Sequence, residues 1–141
     1  MIRVRVYGLK HDPELRTTVK KAITFALQEL LPRKRCLYLT VKCANNLLET
    51  EGAYGLCYST TDIHTYYIDL HLVQCAKEFL LTLFHELVHV KQFTLKELVY
   101  HGDYELWHGV RYKSKECEYS RPWEKEARRM EALLYKRFMK L

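Results

Sequence analysis

The sequence has few residues that interrupt helices and strands, and it shows no repeat, linker or low-complexity segment. Its 141 residues include only three prolines and five glycines, while 48% are hydrophobic. A chain of this length and composition can bury a core of its own. We therefore expect one domain that covers residues 1–141.

No pair of cysteines has the spacing C-x-x-C. The five cysteines are odd in number and widely separated, which argues against both a disulfide framework and a zinc site made of thiolates. Free thiols in a reducing compartment are the expectation. No signal peptide or membrane-spanning run is visible, so we predict a soluble cytoplasmic protein without membrane association.

The sequence also lacks a long block of like charges. Its net charge is +6, but the basic residues are scattered among seventeen acidic ones. The short runs Arg33-Lys34-Arg35 and Arg128-Arg129 are typical of a loop and a solvated helix face. Binding of a nucleic acid therefore stays open but is not favoured, because charge alone gives only non-specific attraction.

Hydrophobic periodicity predicts four strands and three long helices. The strands cover residues 2–7, 36–43, 53–59 and 65–72, and the helices run from Pro13 to Pro32, over 76–98 and over 123–139. Residues 99–121 are rich in aromatic side chains without clear periodicity and are predicted to be irregular. The order of these elements favours an α+β fold with a small, mostly antiparallel sheet packed on helices.

His85, Glu86 and His89 form the pattern H-E-x-x-H inside an apolar stretch that contains no glycine or proline. In a helix, the two imidazoles lie one turn apart on one face and can chelate one zinc ion, with Glu86 between them to move protons. A chance match is the alternative interpretation. Buried without partners, these three side chains would cost several kcal/mol, and a metal removes that cost.

Two imidazoles do not complete a catalytic zinc site, which usually holds three protein ligands. Gln92 and Leu95 stand where the longer pattern H-E-x-x-H-x-x-G-x-x-H requires Gly and His, so that continuation is excluded. The predicted last helix offers Glu124 and Glu126, which both flank its apolar stripe. Spacing alone leaves both candidates open.

The segment H-E-L-V-H-V-K-Q at residues 85–92, with P-W-E-K-E-A at 122–127, resembles zincin metallopeptidases of the gluzincin branch, above all small phage and bacterial proteins that carry both motifs. The resemblance implies a zincin-like domain around the motif helix, Zn²⁺ as cofactor and a protein or peptide substrate. It implies Glu124 as third ligand, because related proteins have Ala three residues later, as Ala127 is here. Arg128 departs from their Asp or Asn, and Glu126 stays a rival. For a phage-encoded protein, the compartment is the host cytoplasm.

The segment W-H-G-V-R-Y, residues 107–112, is more weakly similar to the H-G-x-x-aromatic motif that holds the third histidine in SprT-like DNA-associated proteases. That similarity makes His108 a further rival ligand.

The implied reaction is hydrolysis of a peptide bond by a zinc-activated water, with Glu86 as general base. Tyr112 is our choice of donor to the developing oxyanion, and residues 66–72 are expected to form the sheet edge on which a peptide pairs. Two other hypotheses are a non-catalytic zincin-like binding module and a SprT-like nucleic-acid-associated protease.

Overall fold

The computed structural model describes residues 1–113 and 118–141. Its helices are α1 (Pro13–Leu30), α2 (Leu47–Glu51), α3 (Ala76–Thr94) and α4 (Pro122–Phe138). Its strands are β1 (Ile2–Tyr7), β2 (Leu37–Ala44), β3 (Gly55–Ser59), β4 (Thr65–His71), β5 (Leu98–Tyr100), β6 (Tyr104–Trp107) and β7 (Val110–Lys113). The fold is α+β, as the sequence predicts. Within the described ranges, no helix combines the length and the apolar character that crossing a bilayer requires.

The first helix begins and packs as its sequence predicts. The Asp12 carboxylate accepts a hydrogen bond of 3.0 Å from the backbone N–H of Leu15, and Pro13 occupies the first turn, where its missing N–H leaves no bond unmade. The inward face of α1 is fully buried at Val19, Ala22, Ile23 and Ala26. α1 therefore covers the apolar core rather than any polar site.

The main sheet has the strand order β1-β2-β4-β3. β1 pairs with β2 and β2 with β4 in parallel, and only β3 pairs antiparallel, with β4. The expectation of a mostly antiparallel sheet is therefore wrong for this sheet. The reason is that α1 connects β1 to β2. A helical crossover brings the chain back to the end of the sheet where β1 begins, so β2 runs in the same direction, whereas a short turn would reverse the direction. β4 lies inside the sheet, so the expected edge at residues 66–72 is also wrong, and the two edges are β1 and β3.

The segment predicted to be irregular contains a second sheet. Its strands β5, β6 and β7 pair antiparallel in that order. His108 and Gly109, at φ of 47° and 82°, connect β6 to β7 between the paired residues Trp107 and Val110. Two residues with positive φ are the usual connection of a tight hairpin, because they match the twist of the strands. Strands of three and four residues are too short to show periodicity.

The motif helix α3 is anchored in the core along one side. Leu83, Phe84, Leu87 and Val88 are fully buried and belong to one cluster with the apolar residues of β2 and β4. Burial of each such side chain contributes about 1.5–3 kcal/mol. α3 ends at Thr94, short of the predicted residue 98, because the chain turns at Lys96 with a φ of 57°.

The last helix packs beside α3 through small and apolar side chains. Trp123, Ala127 and Leu134 are its buried residues, and Ala127 has no exposed surface. Since Ala127 is small, the two helix axes can approach closely, which brings polar residues of α4 against α3.

Candidate metal centre

His85 and His89 lie one turn apart on α3, and their rings stand nearly perpendicular with centroids 4.9 Å apart. His89 is buried, with 8% of its surface exposed, and His85 is partly buried. The apolar face of α3 fixes the helix in the core, so both imidazoles project from one side toward α4. The helix therefore presents the histidine pair that the motif predicts.

Glu124 in the first turn of α4 faces both rings. Its Oε2 lies 3.0 Å from Nε2 of His85, and its Oε1 lies 3.0 Å from Nε2 of His89. One ligand atom from each of the three residues lies within 4.8 Å of the other two, and no other such group of His, Cys, Asp or Glu occurs in residues 1–113 and 119–141. His85, His89 and Glu124 could therefore hold a metal ion.

The other ring nitrogen of each histidine meets a separate acceptor. His85 Nδ1 lies 2.7 Å from Oε2 of Glu131, and His89 Nδ1 lies 2.8 Å from Oε1 of Gln92. Metal-binding histidines almost always donate their second ring N–H in this way, which fixes the tautomer and the ring plane. Each Nε2 faces the Glu124 carboxylate, to which a protonated ring donates and beside which a deprotonated Nε2 could bind an ion.

Gln92 is fully buried and held on its other side by α4. Its Nε2 donates to the carbonyl oxygen of Trp123 at 3.0 Å and to Oε1 of Glu126 at 3.1 Å. Because the amide nitrogen is engaged with two acceptors, the amide oxygen must face His89. In the sequence, Gln92 stands out only as a departure from a longer motif, although its place three residues after His89 puts it on the same helix face.

Glu126, the rival ligand, lies outside the group of three. Its Oε1 accepts from Lys91 Nζ at 3.0 Å as well as from Gln92, and Lys91 also pairs with Glu97 at 2.8 Å. Burial raises the pKa of Glu126, but its bonds to Gln92 and Lys91 outweigh burial and lower it. Glu126 therefore accepts a hydrogen bond from the Gln92 amide and does not face the histidines.

The electrostatics of the site couple the histidines to the surrounding carboxylates. Burial lowers the pKa of His85, but its hydrogen bonds to Glu124 and Glu131 outweigh burial and raise the pKa to about 10. Burial likewise lowers the pKa of His89, and its bond to Glu124 reverses the shift and raises it. Burial raises the pKa of Glu124, yet its bonds to both histidines bring it well below the ordinary range. The carboxylate is therefore kept charged.

Glu86 lies in the wall of an open cleft beside the metal-binding group. It is 6% exposed, and burial raises its pKa although the two histidines partly oppose the shift. Gly55 of β3 passes directly against it: a Cβ at Gly55 would lie 3.1 Å from Glu86 Oε1 and 2.6 Å from Thr82 Cγ2. A glycine is thus required where β3 meets α3, a role with no signal in the sequence pattern.

The cleft has a volume of about 460 Å³, and among the described residues it is lined by β3, α3, β5 and the start of α4. Besides His85, Glu86, His89 and Glu124, the lining residues are Ala53, Gly55, Leu56, Cys57, Phe93, Tyr100, Tyr119 and Arg128. Burial, followed by the charge of Glu86, raises the pKa of the Cys57 thiol well above its usual value. Cys57 is therefore a neutral thiol in the protein without metal, and it lies outside the group of His85, His89 and Glu124.

The structure does not bring His108 or Tyr112 to the described wall of the cleft. His108 is exposed on the hairpin turn, with its ring 4.5 Å from that of Trp107 and its backbone N–H bonded to the carbonyl oxygen of Glu97. Tyr112 packs edge-on against Trp123 at 5.5 Å. The H-G pair that resembles a ligand motif is accounted for by the turn.

The cysteines that can be placed carry free thiols, as expected. Cys36, Cys43, Cys57 and Cys75 form no disulfide, and Cys117 lies outside the described residues.

The donor set suits a transition-metal ion. Two imidazole nitrogens and a carboxylate oxygen are common zinc ligands, and ligand atoms around a tetrahedral zinc lie about 3.3 Å apart, close to the two distances of 3.0 Å found here.

None of the known family models, curated proteins or solved structures matches this chain. The geometry of the cleft is therefore the evidence on its function.

Proposed function

We propose that this protein is a zinc-dependent peptidase of the zincin type, with residues 1–141 as one domain. One observation carries the proposal: the Nε2 atoms of His85 and His89 both face the Glu124 carboxylate at 3.0 Å, beside the buried Glu86 and at the wall of an open cleft. The same residues could hold a structural ion in a closed site, but catalytic sites differ in keeping one position open.

In this proposal, His85, His89 and Glu124 hold the ion, and zinc suits this set of two imidazoles and a carboxylate. When bound, zinc supplies Lewis-acid chemistry, which polarises a substrate carbonyl and lowers the pKa of water. Glu131 and Gln92 keep the two imidazoles in the tautomer that leaves each Nε2 free to bind.

Glu86 moves the proton. Its carboxylate accepts a proton from the attacking water and then donates it to the leaving amine nitrogen, which completes hydrolysis without net consumption of a proton. A raised pKa suits both halves of this task, because a general base works best when its pKa lies near the working pH. The neighbouring Gly55 keeps β3 close enough to exclude bulk water from one side of the carboxylate.

A peptide is the substrate class because a strand edge borders the cleft. β3 is one of the two edges of the main sheet, and its residues Gly55, Leu56 and Cys57 line the cleft. An exposed edge strand offers unpaired backbone groups to an extended chain, so the substrate backbone would pair with β3 as its carbonyl reaches the metal centre.

The test compares Glu86→Gln with wild type. We expect both to bind about one zinc ion per chain, whereas cleavage of a mixture of unmodified peptides, followed by mass spectrometry, is lost in Glu86→Gln. Glu78→Gln is the matched control, since Glu78 lies exposed in the first turn of the same helix. Wild-type cleavage by Glu86→Gln would exclude the proton-transfer role. A zinc-loaded wild type that cleaves no peptide would favour a non-catalytic binding module.

A further inference from the structure

Arg128 lies in the wall of the cleft, one helical turn after Glu124 on α4. Residues so spaced share one face of a helix, so the guanidinium projects toward the same space as the Glu124 carboxylate. Besides the two histidines, Arg128 is the one basic residue among the described residues that line the cleft.

The guanidinium is held in one orientation. Its Nη2 donates to the carbonyl oxygen of Tyr119 at 2.7 Å, and its central carbon lies 3.7 Å from the centroid of the Tyr119 ring. Tyr119 also lines the cleft. A planar group stacked in this way loses little further conformational freedom when it binds a ligand, and its remaining N–H groups stay available.

The positive charge of Arg128 has no carboxylate partner in the described chain. Glu124 and Glu131, the acids one turn before and after it, are bonded to the histidines. Among the residues whose side chains are described, 1–113 and 119–141, Arg128 forms no ion pair within 4.0 Å, and it contacts the ring and the carbonyl oxygen of Tyr119. A partly buried guanidinium that is not engaged in an ion pair attracts an anion more strongly than a solvated one does.

We propose that Arg128 binds a carboxylate of the substrate, so that the cleft selects peptides with an acidic side chain or a free C-terminal carboxylate close to the bond that is cut. The planar guanidinium matches a carboxylate with two parallel hydrogen bonds. Glu86 and Glu124 would otherwise repel an acidic peptide, so the selection depends on Arg128. This inference rests on the proposed function for the place of the scissile bond, but carboxylate binding itself is measurable without hydrolysis.

The test measures binding of fluorescent peptides to the zinc-loaded Glu86→Gln protein, which separates recognition from cleavage. The probes are short alanine peptides with a central phenylalanine, blocked at both ends, whose next residue is Asp, Asn or Lys. A fourth probe keeps Asn but has a free C-terminal carboxylate. We expect the Asp probe or the free-carboxylate probe to bind at least about tenfold more tightly than the blocked Asn probe, and the stronger of the two identifies the source of the carboxylate.

Arg128→Gln should remove this preference while the zinc content stays unchanged, and Arg128→Lys should restore part of it, because it keeps the charge without the planar fork. Arg129→Gln is the control, since it changes the net charge equally at an exposed neighbour outside the cleft wall. Equal binding of all probes, no binding of any probe, or an unchanged preference in Arg128→Gln would overturn the proposal. Failure of peptidase activity alone would leave the binding result standing.

Discussion

Nδ1 of His85 lies 2.7 Å from Oε2 of Glu131, a residue two turns beyond Glu124 on α4. The same helix thus supplies both the carboxylate that faces the metal position and the carboxylate that orients one of the histidines. Removal of the Glu131 carboxylate should therefore weaken metal binding by His85 and its partners.

We expect Glu131→Gln to lower zinc affinity about tenfold to a hundredfold, the usual range for loss of a partner behind a metal-binding histidine. The amide can still accept a bond from His85, but it lacks the charge that strengthens it. Competition with a fluorescent chelator measures the affinity. Glu29→Gln, which removes an exposed carboxylate paired with Arg137, should change nothing, and an equal effect of both variants would contradict the role given to Glu131.

We expect Gln92→Leu to lower zinc affinity by a similar factor, because His89 Nδ1 loses its acceptor at a buried position. The variant also leaves the carbonyl of Trp123 without its donor, so its stability should fall by about 1–3 kcal/mol. Val90→Ala provides the comparison, since it creates a cavity at a fully buried position next to His89. If Val90→Ala reduces zinc affinity as much as Gln92→Leu does, general destabilisation explains both.

Zinc binding should release protons and tighten as the pH rises. In the protein without metal, the pKa of His85, raised to about 10 by its bonds to Glu124 and Glu131, keeps that ring protonated at neutral pH, and the raised pKa of His89 favours its protonated form. A cation must displace these protons. We expect about one to two protons released per ion. Calorimetry at neutral pH in buffers with different heats of ionisation measures the number. A binding heat that is independent of the buffer would contradict a protonated His85.

The H-G pair of the hairpin should matter for stability and not for metal binding. An added Cβ at Gly109 would meet no atom within 4 Å, but the φ of 82° disfavours a side chain. We therefore expect Gly109→Ala to cost about 1 kcal/mol in urea denaturation. His108→Ala should keep full zinc affinity. A loss of zinc affinity in this variant would instead indicate that His108 is a ligand.

Periodicity was sufficient to place α1, α3, α4 and the first four strands, because each is long enough for its buried face to repeat several times. It failed for the strands of residues 98–113, which have three or four residues each. It also says nothing about strand direction, since alternation looks the same in parallel and antiparallel pairs.

The choice between Glu124 and Glu126 illustrates a different limit. The two residues lie about 200° apart around a helix, so only the rotation of α4 about its axis decides which one meets the histidines. Burial of Trp123 and Ala127 against α3 sets that rotation, which therefore depends on tertiary packing and not on the local sequence. Glu131 was missed for the same reason, because its partner lies 46 positions away in the chain.

The distance along the chain between His85 and Glu124, 39 positions, also gives the folding of this protein an order. His85 and His89 are adjacent as soon as α3 forms. Glu124 reaches them only when the β-hairpins between α3 and α4 have formed and α4 packs against α3. An ion that needs all three groups binds the docked state alone and stabilises it by mass action. Zinc uptake during refolding would therefore report the docking of α4.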